Sequence, residues 1–372
     1  MAKKSMIPYG HQWIDNEDIK AVTEVLKSDW LTQGPKIEEF EKAIARYCGA
    51  KYGVAVSSGT AALHLSYIVA GIKPGDEIIT TPLTFAATAN MMIFCGAKPV
   101  FADIERDTLN IDPNLVENLI TPKTKAIVPV DFAGHPCDYD QIFKIAKKYN
   151  LLVIEDASHA LGAQYKGKRI GSFADMTILS FHPVKHITTG EGGMVLTNNK
   201  DFYEKLKTLR HHGMIKKPEN GGWYCEMEYP GFNYRITDFQ CALGLSQLKK
   251  INKFIKKRKE IVEIYNEAFE NIKEIVVPVE KDYAKSAWHL YPIQVQGVDR
   301  RKMFEQLKKD GIGAQVHYLP LHLQPFYQER FEYKKGDFPI AEKYYKKAIT
   351  LPLFPKMTNK DIQCVVESLK KY

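Results

Sequence analysis

The chain has 372 residues, of which 45% are apolar, and its 52 basic and 44 acidic residues give a net charge of +8. This size and composition predict a large buried core divided between two domains, residues 1–250 and residues 251–372. The positive charge is small and spread along the chain, so the sequence does not favour a nucleic-acid partner. The densest basic stretch, residues 249–259, carries apolar residues at helical spacing, which indicates a solvated helix face.

The cysteines and the N-terminus bear on the cellular compartment. The six cysteines form no C-x-x-C pair and do not cluster with histidine, which predicts reduced thiols and no metal site. Residues 1–6 lack the apolar core of a signal peptide, and no run approaches the ~18 apolar residues of a membrane span. We therefore expect a cytoplasmic protein with no membrane partner, in which residues 1–5 are a start-site extension.

Helical and strand patterns alternate from about residue 15 to residue 200, which predicts an α/β fold with a doubly wound, mostly parallel sheet. The predicted helices of this part are residues 15–27, 61–70 and 85–95. The predicted strands are residues 52–56, 77–80, 99–101, 126–130, 151–154, 174–181 and 193–197. A long helix over residues 239–269 leads into a smaller α+β unit, with strands at residues 289–295 and 313–318 around a helix at residues 301–309.

Lys185 and Asp156 are the strongest catalytic candidates. Lys185 is followed by Gly190, Gly192 and Gly193, which allow a close backbone approach around a buried amine. Asp156 follows the apolar run 151–154 and so lies at the carboxyl end of a predicted strand, where open α/β sheets bind ligands. One amine and one acid facing the same crevice predict a Schiff-base lysine. An aspartate at a strand end also often caps the next helix or bonds a loop, and this alternative stays open.

Ser58, Gly59 and Thr60 form a small-residue turn between a predicted strand and a predicted helix. Free backbone N–H groups and the positive end of the helix dipole make such a turn a phosphate site. The alternative is an ordinary helix N-cap. Nearby, Phe85 is either a core residue or a ring that stacks on an aromatic cofactor, and His159 is either a core histidine or a member of the Asp156 pocket.

Five motifs follow one another along the chain and together resemble the DegT-type sugar aminotransferases. They are Ser58-Gly-Thr-Ala-Ala-Leu63, Glu155-Asp-Ala-Ser-His159, Ser180-Phe-His-Pro-Val-Lys185, Thr189-Gly-Glu-Gly-Gly193 and Gly231-Phe-Asn-Tyr-Arg235. The resemblance covers nearly the whole chain. It implies the aspartate aminotransferase fold, known as PLP fold type I, with a large domain that binds pyridoxal 5′-phosphate and a smaller C-terminal α+β domain.

Carried over by position, the resemblance implies a role for each motif residue. Lys185 would bind the cofactor covalently and Asp156 would pair with its pyridine nitrogen. Phe85 would stack on the ring, and His159 would lie near the ring oxygen. Some relatives have Gln where this chain has His159, which leaves the chemistry of that contact open.

The remaining implied contacts concern the phosphate and the substrate. Ser58, Gly59, Thr60 and Ser180 would hold the cofactor phosphate. Asn233 would reach the phosphate bound in a partner subunit, so the resemblance implies a homodimer with shared active sites. His317 and Tyr318 stand where relatives line the sugar-nucleotide cleft, although a His-Tyr pair after a strand is as often structural.

The implied reaction is amino transfer from L-glutamate to C4 of a nucleotide-linked 4-keto-6-deoxy sugar. Within the family, residues 181–193 are most similar to transaminases of pseudaminic acid biosynthesis, which implies UDP-2-acetamido-2,6-dideoxy-β-L-arabino-hexos-4-ulose as substrate. Another nucleotide-linked 4-keto-6-deoxyhexose, as in perosamine-type aminotransferases, is the alternative.

Two further hypotheses are a pyridoxamine-dependent lyase and a non-catalytic sugar-nucleotide sensor. Related 3-dehydratases carry His at the position of Lys185, so the lysine favours the transaminase. Amino transfer needs this amine uncharged, and a lysine pKa of ~10.4 must then fall by roughly 3 units.

Overall fold

The computed structural model of the protein describes residues 6–372, so the expected extension at residues 1–5 lies outside the described residues. The strands in chain order are β1 (Tyr52–Val56), β2 (Glu77–Thr80), β3 (Lys98–Phe101), β4 (Thr124–Val128), β5 (Leu152–Asp156), β6 (Gln164–Tyr165), β7 (Lys168–Arg169), β8 (Met176–Ser180), β9 (Gly193–Thr197), β10 (Met214–Lys216), β11 (Cys225–Met227), β12 (Ile275–Val276), β13 (Ala284–Lys285), β14 (Tyr291–Val295) and β15 (Ala348–Leu351). The α-helices are α1 (Asn16–Leu26), α2 (Pro35–Cys48), α3 (Gly59–Val69), α4 (Ala87–Phe94), α5 (Pro113–Val116), α6 (Tyr139–Tyr149), α7 (Lys200–Arg210), α8 (Asp238–Leu248), α9 (Ile251–Phe269), α10 (Arg300–Lys309), α11 (Pro325–Phe331), α12 (Pro339–Lys347) and α13 (Asn359–Leu369).

A seven-stranded sheet with the order β1-β9-β8-β5-β4-β2-β3 forms the centre of the N-terminal part. Every neighbouring pair is parallel except the two pairs that β9 makes with β1 and β8, which are antiparallel. Helices pack on its faces, so central strands such as β4, β5, β8 and β9 are largely buried and mostly apolar. The predicted mostly parallel α/β sheet is confirmed.

The strand register brings three chain segments together at the carboxyl edge of this sheet. Asp156 ends β5, and Ser180 ends the neighbouring parallel strand β8. Gly193, which begins β9, is paired with Ser180 on one side and with Val56, the last residue of β1, on the other. The turn after β1 therefore lies beside the ends of β5 and β8.

The smaller C-terminal part has its own sheet, β12-β14-β15, and its own apolar core. Residues between Ile261 and Leu369 form that core, which also takes in the later turns of α9. The earlier turns of α9 belong instead to the core beneath the large sheet, where Phe254 is buried. The division at residue 250 stays a prediction.

Two predicted elements are wrong. The single helix over residues 239–269 is two helices, α8 and α9, because the Lys250 N–H donates to Gln247 O in a tighter turn while its amine pairs with Asp18 at 2.7 Å. The predicted strand at residues 313–318 is not a strand. Only one isolated bridge, between Gln315 and Thr350, forms there, and the residues after it bend towards a cavity. The other predicted boundaries agree with the structure to within two residues.

Between residues 6 and 372, no helix combines the length and the apolar character that a bilayer crossing needs. All six cysteines lie in this range as free thiols. The expected cytoplasmic location stays a prediction.

Candidate active site

A cavity of about 610 Å³ opens at the carboxyl edge of the large sheet. It is lined by residues of the large sheet and its turns and, on the other side, by the segment that follows α10. Of the predicted site residues, those that line it are Ser58, Gly59, Thr60, Phe85, Asp156, His159, Ser180, Lys185, His317 and Tyr318.

Asn233 is the predicted site residue that does not line the cavity. It is exposed and forms a bridge with His211 outside the cavity.

Asp156 is buried and held by donors on both carboxylate oxygens. Oδ2 accepts a hydrogen bond from the Thr88 hydroxyl at 2.7 Å, and Oδ1 accepts one from the Ser158 amide at 3.2 Å. Because Thr88 gives its proton to Asp156, the 2.8 Å contact between the two threonine hydroxyls makes Thr84 the donor to Thr88. The carboxylate thus bonds the loop that follows it, as the capping alternative expected, and also faces the cavity.

Lys185 lies in the loop between β8 and β9, where its N–H donates to His182 O at 2.9 Å. Its Nζ is 3.4 Å from Nε2 of His289, a residue that the sequence analysis did not single out. Burial lowers the pKa of Lys185 to about 7. The nearby carboxylate of Asp156 opposes this fall in pKa, and the guanidinium of Arg258 adds to it. The pKa therefore falls to the range that an uncharged amine requires.

The turn after β1 has the features of an anion site as well as those of a helix cap. Ser58 Oγ accepts from the Ala61 amide at 3.1 Å, so Ser58 is the N-cap of α3. Across residues 6–372, the amides of Gly59 and Thr60 donate to no protein acceptor. Two orphan N–H groups at a helix start are what an anion binds.

Gly193 makes room for this turn. A Cβ at Gly193 would lie 2.4 Å from the Ser58 carbonyl carbon and oxygen and 2.6 Å from the Gly59 nitrogen. The glycine is therefore required by the approach of β9 to the turn after β1, and not by crowding around the Lys185 amine as the sequence analysis expected.

Four histidines surround Lys185, and burial lowers the pKa of each, so that all four are neutral at pH 7: His159, His186, His289 and His317. The rings of His159 and His289 lie 4.3 Å apart, and His159 Nε2 is 3.4 Å from the Tyr318 hydroxyl. Nδ1 of His317 is hydrogen-bonded to Thr350 Oγ1 at 2.9 Å, so this ring nitrogen has a structural partner. His159 thus belongs to the pocket of Asp156 and Lys185.

Phe85 is 61% exposed although it lines the cavity, and its ring centroid is 6.0 Å from that of Tyr318. The core alternative for Phe85 is therefore wrong. An aromatic ring left open to a cavity is available to stack on a flat ligand.

Comparison with known proteins agrees with the resemblance found in the sequence. The family described as the DegT/DnrJ/EryC1/StrS aminotransferase family matches residues 12–370. The chain belongs to this family. As a member of this family, the chain is an aminotransferase. It has the fold of the PLP-dependent enzymes, as the resemblance implied.

Two curated relatives match almost end to end. The spore coat polysaccharide biosynthesis protein SpsC of Bacillus subtilis is 46% identical over 99% of this chain and 97% of its own length. The UDP-4-amino-4,6-dideoxy-N-acetyl-beta-L-altrosamine transaminase of Campylobacter jejuni is 45% identical over 98% of this chain and 96% of its own length.

Solved structures are similar over the whole fold. Spr1654 of Streptococcus pneumoniae, described as a sugar aminotransferase and solved in its PMP form, has a TM-score of 0.94 at 34% identity, covering 98% of both chains. PseC of Helicobacter pylori, an aminotransferase of pseudoaminic acid biosynthesis, has a TM-score of 0.93 at 38% identity, covering 99% of both chains.

The lowered pKa of Lys185 has a consequence for stability. In the unfolded chain this amine keeps an ordinary pKa, so between pH 7 and about 10.5 the unfolded state binds more protons than the folded state. Cofactor-free Lys185→Met should therefore be more stable than the parent at pH 6.5, by on the order of 3 kcal/mol. The pKa shift alone would give a larger gain, but part of the Lys185 side chain faces the cavity, where solvent reduces the cost of burying its charge.

This gain should shrink as pH rises from 7 to 10, and urea unfolding at several pH values measures it. The exposed Lys42→Met is the matched control and should show no such dependence. A gain for Lys185→Met that does not change with pH would contradict the buried, uncharged amine.

Proposed function

We propose that this protein is a pyridoxal-phosphate-dependent transaminase that moves an amino group from L-glutamate to C4 of a nucleotide-linked 4-keto-6-deoxy sugar. The observation that carries the proposal is the pairing of two groups in one cavity: an amine whose pKa burial lowers to about 7, Lys185, and a carboxylate held by two donors, Asp156. Such a pairing is what amino transfer requires of the protein.

The residues that line the cavity fit this cofactor. The free amides of Gly59 and Thr60 would hold its phosphate, with Ser180 beside them, since a Cβ on Gly59 would lie 3.2 Å from the Ser180 Cβ. The exposed ring of Phe85 would cover its flat ring. The volume of about 610 Å³ leaves room for part of a second ligand beside the cofactor.

When bound, pyridoxal phosphate supplies an aldehyde carbon that can carry the amino group and a ring that accepts electron density. Lys185 would hold the cofactor through its aldehyde carbon, and Nζ, once free and uncharged, would take the proton from the α-carbon of the amino donor. Asp156 would hold a proton on the ring nitrogen, and its hydrogen bonds from Thr88 and Ser158 would stabilise the charged carboxylate that this task needs. His159, with a buried Nδ1 that has no partner among the described residues, is available to a polar group of the ring.

For the sugar, we favour UDP-2-acetamido-2,6-dideoxy-β-L-arabino-hexos-4-ulose, the substrate expected in pseudaminic acid biosynthesis. The similarity to the Campylobacter transaminase and to Helicobacter PseC supports this choice. The equally similar SpsC keeps another nucleotide-linked keto sugar as the alternative. A non-catalytic sensor is disfavoured, because a sensor has no need of an uncharged lysine in its binding cavity.

The cofactor proposal is tested by colour and by covalent trapping. Full-length protein mixed with pyridoxal phosphate should gain the absorbance of a lysine-linked cofactor and lose it on addition of glutamate. In a separate sample without glutamate, borohydride should reduce the linkage, so that peptide mass spectrometry finds the mass of the cofactor on the peptide that contains Lys185. Lys185→Ala should show neither effect while Lys42→Ala keeps both. Trapping on a different lysine would overturn the assignment.

The sugar is tested by a panel. Incubation with glutamate and UDP-, dTDP- or GDP-linked 4-keto-6-deoxy sugars, followed by measurement of 2-oxoglutarate, should give the highest kcat/KM with the UDP sugar. A preference for a dTDP or GDP sugar would overturn the specific substrate and leave the transaminase proposal standing.

We further propose a homodimer in which Asn233 completes the partner's site, because Asn233 is exposed and lies away from the cavity of its own chain. Lys185→Ala and Asn233→Ala should each be inactive alone. After mixing and subunit exchange, activity should return to roughly a quarter of the parent value, because half of the dimers are hybrids with one intact site. The exposed Asn220→Ala is the control and should remain active. Absence of recovery in verified hybrid dimers would contradict a shared site.

A further inference from the structure

Arg258 is a fully buried arginine, with 1% of its surface exposed, in the first half of α9. Within the part of the chain that the structure describes, it makes no ion pair with a carboxylate. A buried cation without a counter-ion is costly and persists only where other groups satisfy it. Other groups around Arg258 must therefore stabilise its buried charge.

Backbone carbonyls accept hydrogen bonds from both terminal nitrogens of the guanidinium, whereas the buried Nε has no partner among the described residues. Nη1 donates to the carbonyl oxygens of Trp288 at 3.3 Å, His289 at 3.1 Å and Leu353 at 2.8 Å. Nη2 lies 3.5 Å from the Val184 oxygen, at the long limit of a hydrogen bond. A planar group with several donors can reach four carbonyls in three separate segments, which is why arginine and not lysine suits this position.

Two of these carbonyls belong to the segments that place the reactive amine. Val184 directly precedes Lys185, and His289 contacts Lys185 Nζ at 3.4 Å. Trp288 has a φ of +51°, in the left-handed region that a bulky residue seldom adopts, and its carbonyl and that of His289 both reach the same Nη1. Arg258 thus connects the loop of Lys185 to the loop of His289.

The guanidinium also acts through its charge. Burial lowers the pKa of Arg258 to about 9, so the group stays charged at pH 7. Its charge lowers the pKa of Lys185, whereas the Asp156 carboxylate raises it. The titratable groups that line the cavity of Lys185 or affect its charge are Tyr9, Asp156, His159, His182, His186, Glu191, Arg258, His289, His317 and Tyr318. Since burial lowers the pKa of each of the five histidines in this set, Arg258 is the cation among them that opposes Asp156 at pH 7.

We propose that Arg258 is a positioning residue of the active site, which clamps the segments bearing Lys185 and His289 together and whose positive charge favours the uncharged form of the Lys185 amine. The importance of that form for amino transfer rests on the proposed function. The effect of Arg258 on the amine itself does not.

The experiment measures the titration of Lys185 directly. Full-length protein with its cofactor in the amine form, so that Nζ is free, is acylated with trace acetic anhydride across pH 5–11, and modification of the Lys185 peptide is quantified by mass spectrometry. The parent midpoint should lie well below the ordinary lysine pKa of ~10.4, because burial lowers the pKa of the amine and the Arg258 charge adds to that fall. In Arg258→Met the midpoint should rise by about 1 unit.

Three variants separate charge from packing. Arg258→Lys keeps the charge but loses most of the carbonyl contacts, so it should unfold at lower urea while its Lys185 midpoint stays near that of the parent. Arg258→Gln keeps an amide donor without the charge and should shift the midpoint as Arg258→Met does, which preserves the test if the methionine variant fails to fold. Lys256→Met removes an exposed charge on the same helix and should change neither property.

A folded Arg258→Gln or Arg258→Met with the parent midpoint would overturn the proposal. So would Arg258→Lys with a midpoint raised as far as that of Arg258→Met, because the shift would then follow packing and not charge. Borohydride trapping on the parent protein tests the proposed function separately. Acylation needs only a free amine, so it reports on Arg258 whether or not the trapping succeeds.

Discussion

The site depends on the removal of the Lys185 amine from water. A lysine exposed on the surface is charged at neutral pH and can neither attack an aldehyde nor take up a proton. Here the amine lies in the loop between β8 and β9, where the walls of the cavity come from both the large sheet and the segment after α10. Burial is the largest cause of its lowered pKa, and so the chemistry depends on how the two parts of the chain close over it.

The sheet topology decides what else reaches that amine. Because β9 runs antiparallel between β8 and β1, its first residue, Gly193, lies between the ends of those two strands. The lack of a side chain at Gly193 lets the turn at Ser58 and Gly59 pack against it. The free amides at the start of α3 therefore lie on the same cavity as Asp156, at the end of β5, and Lys185. One sheet edge therefore brings together two free amides, an acid and an amine.

Local sequence patterns were enough to predict the residues on this edge. Strand ends and helix starts are defined by neighbours in the chain, so Asp156, Ser58 and Gly59 could be placed from apolar runs and small-residue turns. Thr88 was missed because its only signal is a spacing of four from Thr84, whereas its partner Asp156 is 68 residues away. His289 was missed for the same reason, since it meets Lys185 across 104 residues of sequence.

The two wrong elements have a similar origin. The apolar spacing of residues 239–269 is helical throughout. The break at Lys250 depends on Asp15, the N-cap of α1, and on Asp18 within α1, both more than 230 residues earlier. Residues 313–318 have the composition of a strand, but the only β-bridge within this range is at Gln315. A tertiary contact overrides the local preference in the first case, and in the second the neighbouring strand that the preference needs is missing.

Burial alone cannot produce the charge states that the site needs, because it disfavours a carboxylate and an ammonium alike. Asp156 must be charged and Lys185 uncharged within one cavity. The difference lies in their partners. Asp156 receives hydrogen bonds from a hydroxyl and an amide, both of which stabilise a negative charge. The amine of Lys185 meets a neutral imidazole at a long distance and lies near a buried cation, and neither of these compensates a positive charge. The surroundings disfavour both charges, but only the charge of Asp156 receives stabilising hydrogen bonds. This difference lets one cavity hold a charged carboxylate beside an uncharged amine.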